Sequence, residues 1–203
     1  MIKGLYAVTP DIADTQTLCE MVTAALQGGV SILQYRNKLA DAVLRHVQAS
    51  ALLPICRQYE VPLIINDDAE LCKSLDADGV HLGGTDGNIA AARKLLGANK
   101  IIGASCYNRL ELAQQAAKQG ASYVAFGACF DSITKPNAAL ASLDLFAQAK
   151  KLNLPTVAIG GITPENVQLV KQAGADAVAV INALFGSKNI QTTATEFVHL
   201  LNS

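Results

Sequence analysis

The chain has 203 residues, 51% of them hydrophobic and 16% charged, enough apolar material to bury a sizeable core. Sixteen basic side chains stand against seventeen acidic ones, a net charge of −1. That leaves no basic stripe for nucleic acid and no Lys/Arg tail for an anionic membrane, and the longest apolar runs are far too short to span a bilayer.

The opening stretch MIKGLYAVTP carries one lysine and a strand-like run that Pro10 ends, which is too short for a signal-peptide core. From there, eight short β-rich apolar runs recur: LYAVT (5–9), SILQYR (31–36), PLIIND (62–67), GVHLG (79–83), KIIGAS (100–105), YVAFGA (123–128), PTVAIGG (155–161) and AVAVIN (177–182). They are continuous rather than alternating, as expected of strands covered on both faces. Between them lie helical spacings: Leu18, Met21, Val22, Ala25 and Leu26; Leu110, Ala113, Ala116 and Ala117; Val167, Val170 and the stem of Lys171. LQGGVSILQY, LDADGVHLG, KQGASYVAFG and QAGADAVAVI each end a helix at a small or turn-forming residue and enter a strand soon after. Pro54 sits inside an otherwise helical stretch, and a break or restart of that helix is expected there. Eight alternating βα units predict an α/β fold, a single-domain (β/α)8 TIM barrel over residues 1–203, compact with short loops because such barrels typically take ~250 residues. An open doubly wound sheet would usually show G-x-G-x-x-G after its first strand, where this chain has PDIADT. Cys19, Cys56, Cys72, Cys106 and Cys129 are odd in number and widely spaced, which reads as reduced core thiols in a cytoplasmic protein.

In such a barrel the active site lies at the C-terminal strand ends, and the unusual polar residues gather there. The second run ends in Gln34, Arg36 and Lys38, which share a face because alternate strand side chains do. The third ends in Asn66, Asp67 and Asp68, and the fourth passes His81 to reach Asp86. The fifth ends at Ser105, the sixth leads to Ser132, Thr134 and Lys135, the seventh ends in Gly160 and Gly161, and the eighth in Asn182. Singly, each has a plainer reading. Arg36 and Lys38 can be solvated charges, Asp68 a helix N-cap, His81 a packed, hydrogen-bonded core histidine, Gly160–Gly161 a tight turn and Lys135 plain loop. What those readings leave unexplained is the sidedness.

Arg36, Lys38 and Lys135 are cations, with Gln34, Asn66, Ser105 and Thr134 as neutral partners. Asp67 and Asp86 are carboxylates on neighbouring strands; in such company they suggest Mg²⁺, which takes one or two carboxylates plus substrate phosphate oxygens. Gly160 and Gly161 precede a helix expected to carry Pro164 in its first turn, and barrels often bind phosphate in the loops after strands 7 and 8. There is room for two anions, a diphosphate held by metal and cations and a monophosphate held by backbone.

QYRNK, LIINDD, ADGVHLGGTD, IIGASC, VAFGACFDSITK, VAIGGITPENV and GADAVAVINALF, in that order and spacing, make the chain resemble the thiamine phosphate synthase (thiamine-phosphate pyrophosphorylase) family over nearly its whole length. The resemblance implies a transferase of thiamine biosynthesis. Such an enzyme couples 4-amino-2-methyl-5-hydroxymethylpyrimidine diphosphate with (carboxy)thiazole phosphate, giving thiamine phosphate and pyrophosphate through Mg²⁺-assisted diphosphate departure and a pyrimidine carbocation. It further implies that Gln34, Tyr35, Arg36, Asn37, Lys38, Asn66, Ser105 and Lys135 bind the pyrimidine diphosphate, with Arg36, Lys38, Ser105 and Lys135 catalytic. Asp67 and Asp86 would bind Mg²⁺, and Ser132, Ile133, Thr134, Gly161, Ile181 and Asn182 the thiazole phosphate. Three features depart from the family's usual pattern: Gly84 stands where a glutamine is usual, the T-x-T-K element opens with Ser132 and is preceded by Asp131, and Asn182 stands where a serine is usual. The alternative readings are a thiazole tautomerase-like relative and a non-catalytic phosphate-binding barrel. The expected partners are small phosphorylated substrates, with no nucleic acid and no membrane; a homo-oligomer is compatible with the sequence.

Overall fold

The computed structural model describes residues 2–83, 88–131 and 140–203. In chain order it contains β1 (Gly4–Val8), α1 (Thr15–Gln27), β2 (Ile32–Tyr35), α2 (Ala42–Gln58), β3 (Leu63–Asn66), α3 (Ala69–Leu75), β4 (Gly79–Leu82) and α4 (Ile89–Leu96). There follow β5 (Ile101–Tyr107), α5 (Leu110–Lys118), β6 (Tyr123–Phe126), α6 (Asp144–Ala149) with a 3₁₀ turn after it, β7 (Thr156–Ile159), α7 (Val167–Gln172), β8 (Ala177–Val180), α8 (Asn182–Phe185) and α9 (Ile190–Asn202). All eight expected runs are strands. They pair in parallel, in sequence order, and β8 closes on β1, so the sheet is a barrel and the expected (β/α)8 class is the observed one.

The continuous apolar runs are explained by two buried faces. Along β1, Tyr6 and Val8 turn inward, where they meet Ile32, Ile64, Tyr123, Val157 and Ala179. Leu5 and Ala7 turn outward against helical residues such as Leu18, Val22 and Ala25. Several helices begin on side chains that accept from their first free N–H groups: Asp14, Asp41, Asp68, Asn88 and Asn189 cap α1, α2, α3, α4 and α9. Each such cap is worth ~1 kcal/mol, and Asp68 therefore takes its plainer reading. At the C-terminal ends, Gly29 after α1 and Gly120 after α5 adopt φ of 97° and 91°, the left-handed turn that a side chain would resist.

Two local expectations are corrected. The α2 helix runs unbroken through Pro54. Pro54 is exposed, and neighbouring Leu52, Leu53 and Cys56 anchor the opposite face in the core. A carbonyl left without its helical donor on the exposed side can be hydrated, so packing outweighs the lost bond. After β7, Pro164 lies in a turn and the helix starts only at Val167. Asn166 accounts for the delay: its side chain accepts from the Thr163 N–H and donates to the Gly161 carbonyl, both at 2.9 Å. Among the described residues no helix is long and apolar enough to cross a membrane. The five cysteines are free thiols.

Candidate active site

The stretch QYRNK splits between two faces. Gln34 points into the barrel, whereas Tyr35 is turned toward α2, its hydroxyl donating to Gln48 Oε1 at 2.8 Å. Asn37 is also buried. Its amide donates to Gln48 and to the Ile12 carbonyl, and its oxygen accepts from Leu39 N and Ala40 N, so it shapes the turn. Arg36 meets a partner that the sequence did not disclose. Asp11, at the end of β1, holds Arg36 Nη1 between its two oxygens at 3.2 Å each, and its Oδ1 also accepts from the Lys38 N–H at 2.7 Å. One carboxylate thus sets both cation-bearing residues. Thr9 adds a reciprocal pair of 2.8 Å bonds with the Arg36 backbone. The available signal was topological: in a closed barrel the end of β1 borders the end of β2, and PDIADT carries an acid there.

Inside the barrel, polar groups continue below Gln34. Its Nε2 donates to Tyr6 Oη at 2.8 Å, the Tyr6 and Tyr123 hydroxyls are 2.7 Å apart, and Tyr123 Oη lies 2.8 Å from His81 Nδ1. His81 Nε2 is 2.8 Å from Ser105 Oγ. The rings pack as they bond, His81 stacked on Tyr123 at 5.5 Å and Tyr6 edge-on to Tyr123 at 6.0 Å. His81 is thus the packed, hydrogen-bonded histidine that was expected, and it reaches a candidate catalytic residue. Burial pushes its pKa down to about 4 and that of Tyr6 up to about 12, so both are neutral at neutral pH.

At the end of β3, Asn66 Nδ2 donates to Asp67 Oδ2 at 2.6 Å and Gly83 N to Asp67 Oδ1 at 3.2 Å. Asp67 has φ 59°, an uncommon backbone state that re-aims its carboxylate at the strand end. Lys38, Asn66 and Asp67 line a cavity of about 230 Å³ at the β2 and β3 ends. Arg45 enters it from α2, and among the described residues its buried Nε has no hydrogen-bond partner. Sequence reasoning passed over Arg45 because it lies within a helix. The oxygens of Asp67 suit a hard divalent cation. Asp86, Gly84, Ser132, Ile133, Thr134 and Lys135 lie outside the described residues.

Because β7 pairs with β8, Gly161, just after β7, lies beside the junction where Ile181 leads into Asn182, the first residue of α8. Gly161 has φ 65°, and a Cβ there would lie 2.5 Å from the Asp131 carbonyl oxygen and 2.6 Å from that of Phe130. Glycine is required by that backbone contact alone.

The family profile described as thiamine monophosphate synthase matches residues 5–184. A thiamine-phosphate synthase from Methylobacillus flagellatus is 58% identical over 201 residues, which span 99% of this chain and 96% of that one. Another, from Nitrosomonas eutropha, is 52% identical over 200 residues, 98% and 94% of the two chains. Among solved structures, a thiamine phosphate pyrophosphorylase from Pyrococcus furiosus superposes with a TM-score of 0.88 at 32% identity, covering 98% of this chain and 95% of that one. A 3-hexulose-6-phosphate synthase, at 19% identity and a TM-score of 0.75, shares the fold. With a match running from β1 into α8, and relatives identical at more than half of the aligned positions over nearly their full length, the chain belongs to the thiamine monophosphate synthase family.

Proposed function

We propose that this chain is a thiamine-phosphate synthase, a transferase that joins 4-amino-2-methyl-5-hydroxymethylpyrimidine diphosphate to a thiazole phosphate and releases pyrophosphate. The observation that carries the reading is the gathering of Gln34, Arg36, Lys38, Asn66, Asp67 and Ser105 at the C-terminal ends of β2, β3 and β5, in a chain of this family. Relatives at 58% and 52% identity bear the synthase name, which weighs against the tautomerase-like and non-catalytic alternatives.

In this reading the exocyclic C–O bond of the pyrimidine breaks first. Its electron pair leaves with the diphosphate, and the ring stabilises the carbocation. Arg36, Lys38 and Lys135 act on the leaving group, whose charge grows in the transition state, so they stabilise that state more than the ground state. Asp11 fixes Arg36 for this role through its two 3.2 Å contacts. Gln34, Asn66 and Ser105 bind as neutral partners. The thiazole nitrogen then donates its lone pair to the cation, and no protein nucleophile is needed. Gly161, Ile181, Asn182 and the 132–134 segment hold the thiazole phosphate; Tyr35 and Asn37 contribute by fixing the turn. Asp67 and Asp86 would hold Mg²⁺, which when bound supplies positive charge against the diphosphate oxygens. The five free cysteines support a reducing, cytoplasmic setting.

Complementation tests the reading. The gene for this chain should restore thiamine-free growth to a bacterium lacking its own thiamine-phosphate synthase. A well-expressed, folded chain that fails to do so would count against it.

A further inference from the structure

Gln34, Tyr6, Tyr123, His81 and Ser105 come from five different strands, β2, β1, β6, β4 and β5, and form one continuous hydrogen-bond chain. Four of its members are no more than 8% exposed. The chain has a direction. Gln34 Nε2 is a donor, so Tyr6 Oη accepts from it; either hydroxyl of the 2.7 Å Tyr6–Tyr123 pair can donate to the other, but Tyr6 Oη has no second acceptor among the described residues, which directs its single hydrogen to Tyr123. Tyr123 in turn gives its hydrogen to His81 Nδ1, which must be bare to accept it. A neutral imidazole bare at Nδ1 carries its hydrogen on Nε2, and that hydrogen goes to Ser105 Oγ. Ser105 therefore accepts from within the barrel and retains a hydroxyl hydrogen of its own. It lies two residues beyond Gly103, which is level with His81, and so nearer the mouth.

A second observation shows that the link is built in. His81, Gly103 and Tyr123 are in register on three adjacent strands. The Tyr123 ring crosses over Gly103 to reach His81, and a Cβ at 103 would fall within the space of Tyr123 Cζ and Oη. The middle strand has to lack a side chain there for the chain to exist.

We propose that Tyr6, Tyr123 and His81 are positioning residues whose one-way hydrogen-bond chain holds His81 as its Nε2–H tautomer and so presents Ser105 to the substrate as a hydrogen-bond donor. The substrate atom at Ser105 is then an acceptor, a ring nitrogen lone pair or an anionic oxygen, and not an amino group. This inference rests on the synthase reading for what Ser105 touches; the direction of the chain does not. The role is orientation rather than proton transfer, since burial keeps both Tyr6 and His81 neutral.

The direct test is the tautomer of His81 in the whole, ligand-free chain. Long-range proton–nitrogen NMR on ¹⁵N-histidine-labelled protein at pH 7.5 distinguishes a bare from a protonated Nδ1, and His81→Gln identifies the His81 signals among the three histidines. A protonated Nε2 with a bare Nδ1 is expected. A protonated Nδ1 would reverse the links from Tyr6 to Ser105, make Ser105 a donor to His81 and overturn the inference. The second arm is kinetic. Tyr123→Phe removes one hydroxyl and should lower kcat/KM about tenfold. In the Ser105→Ala background the same change should cost almost nothing further, because Tyr123 acts through Ser105. Additive losses would mean that Tyr123 serves the fold alone. A parent chain that forms no thiamine phosphate sinks the synthase reading and the assignment of the substrate atom with it, whereas an active parent with Nδ1–H sinks this inference alone.

Discussion

Acidification should unfold this protein partly through one interior residue, His81. Its pKa falls from the ordinary 6.5 to about 4, because a charged imidazole has no water to solvate it inside the barrel. Between those two values the unfolded chain binds a proton that the folded chain refuses. Stability is therefore fullest above about pH 6.5, falls as pH drops toward about 4, and falls no further on this account below that. At 1.36 kcal/mol per unit, the gap corresponds to about 3 kcal/mol, a large share of the 5–15 kcal/mol that folded domains typically hold. The structure supplies the mechanism. With the His81 tautomer inferred above, protonation puts a hydrogen on Nδ1, facing the one that Tyr123 directs there across 2.8 Å. Urea denaturation from pH 7.5 to 4.5, run on the parent and on His81→Gln in parallel, isolates the effect from the carboxylates common to both. The parent should lose about 2.5 kcal/mol more over that range than the variant, the window stopping short of the folded-state value. Parallel curves would show that His81 is not held neutral in the fold and would refute the reasoning.

Arg36→Ala should cost on the order of 2–4 kcal/mol in kcat/KM, the usual loss for one group facing developing charge, and Arg36→Lys should retain partial activity without the planar fork. Both should melt within a few degrees of the parent, since the Arg36–Asp11 pair is solvent-accessible and such pairs contribute roughly 0–1 kcal/mol. Asp11→Ala should reproduce part of the Arg36→Ala defect with Arg36 still in place; normal turnover would show that the pair is incidental. EDTA should abolish turnover and Mg²⁺ restore it, and Asp67→Ala should remove most activity while the circular dichroism stays native; full activity in EDTA would remove the metal from the account. Gly161→Ala should destabilise the fold by ~1–3 kcal/mol through its positive φ and the two carbonyl contacts, impairing use of both substrates together. An unchanged melting temperature would show that the loop yields, and Gly161 could then be used as a clean probe of phosphate binding.

The barrel was legible because its signals are local and repeated. Eight apolar runs with small-residue turns such as LQGG and KQGA fix strands and helix ends without long-range information. The candidate site was legible through the same repetition, as polar residues falling on one side of each unit. What escaped depends on pairing. Asp11 looked like an ordinary loop acid, because its significance comes from the closed sheet that places the ends of β1 and β2 together. Tyr6, Tyr123 and Gly103 looked like plain strand residues, because only the register brings a ring over a glycine to a histidine. Tyr35 and Asn37 share a motif with Arg36, and their bonds to Gln48 of α2 could not be read from the motif because they depend on how α2 packs. Pro54 misled because the rule against proline in helices is a local one, whereas the burial that overrides it is not.

The central claim is that this barrel makes a carbon–nitrogen bond at the expense of a diphosphate. The purified chain, given the pyrimidine diphosphate, the thiazole phosphate and Mg²⁺, should release thiamine phosphate and pyrophosphate in equal amounts, read by chromatography and by a coupled pyrophosphate assay. Recovery of both substrates unchanged, or of an isomerised thiazole phosphate with the pyrimidine diphosphate intact, would contradict it.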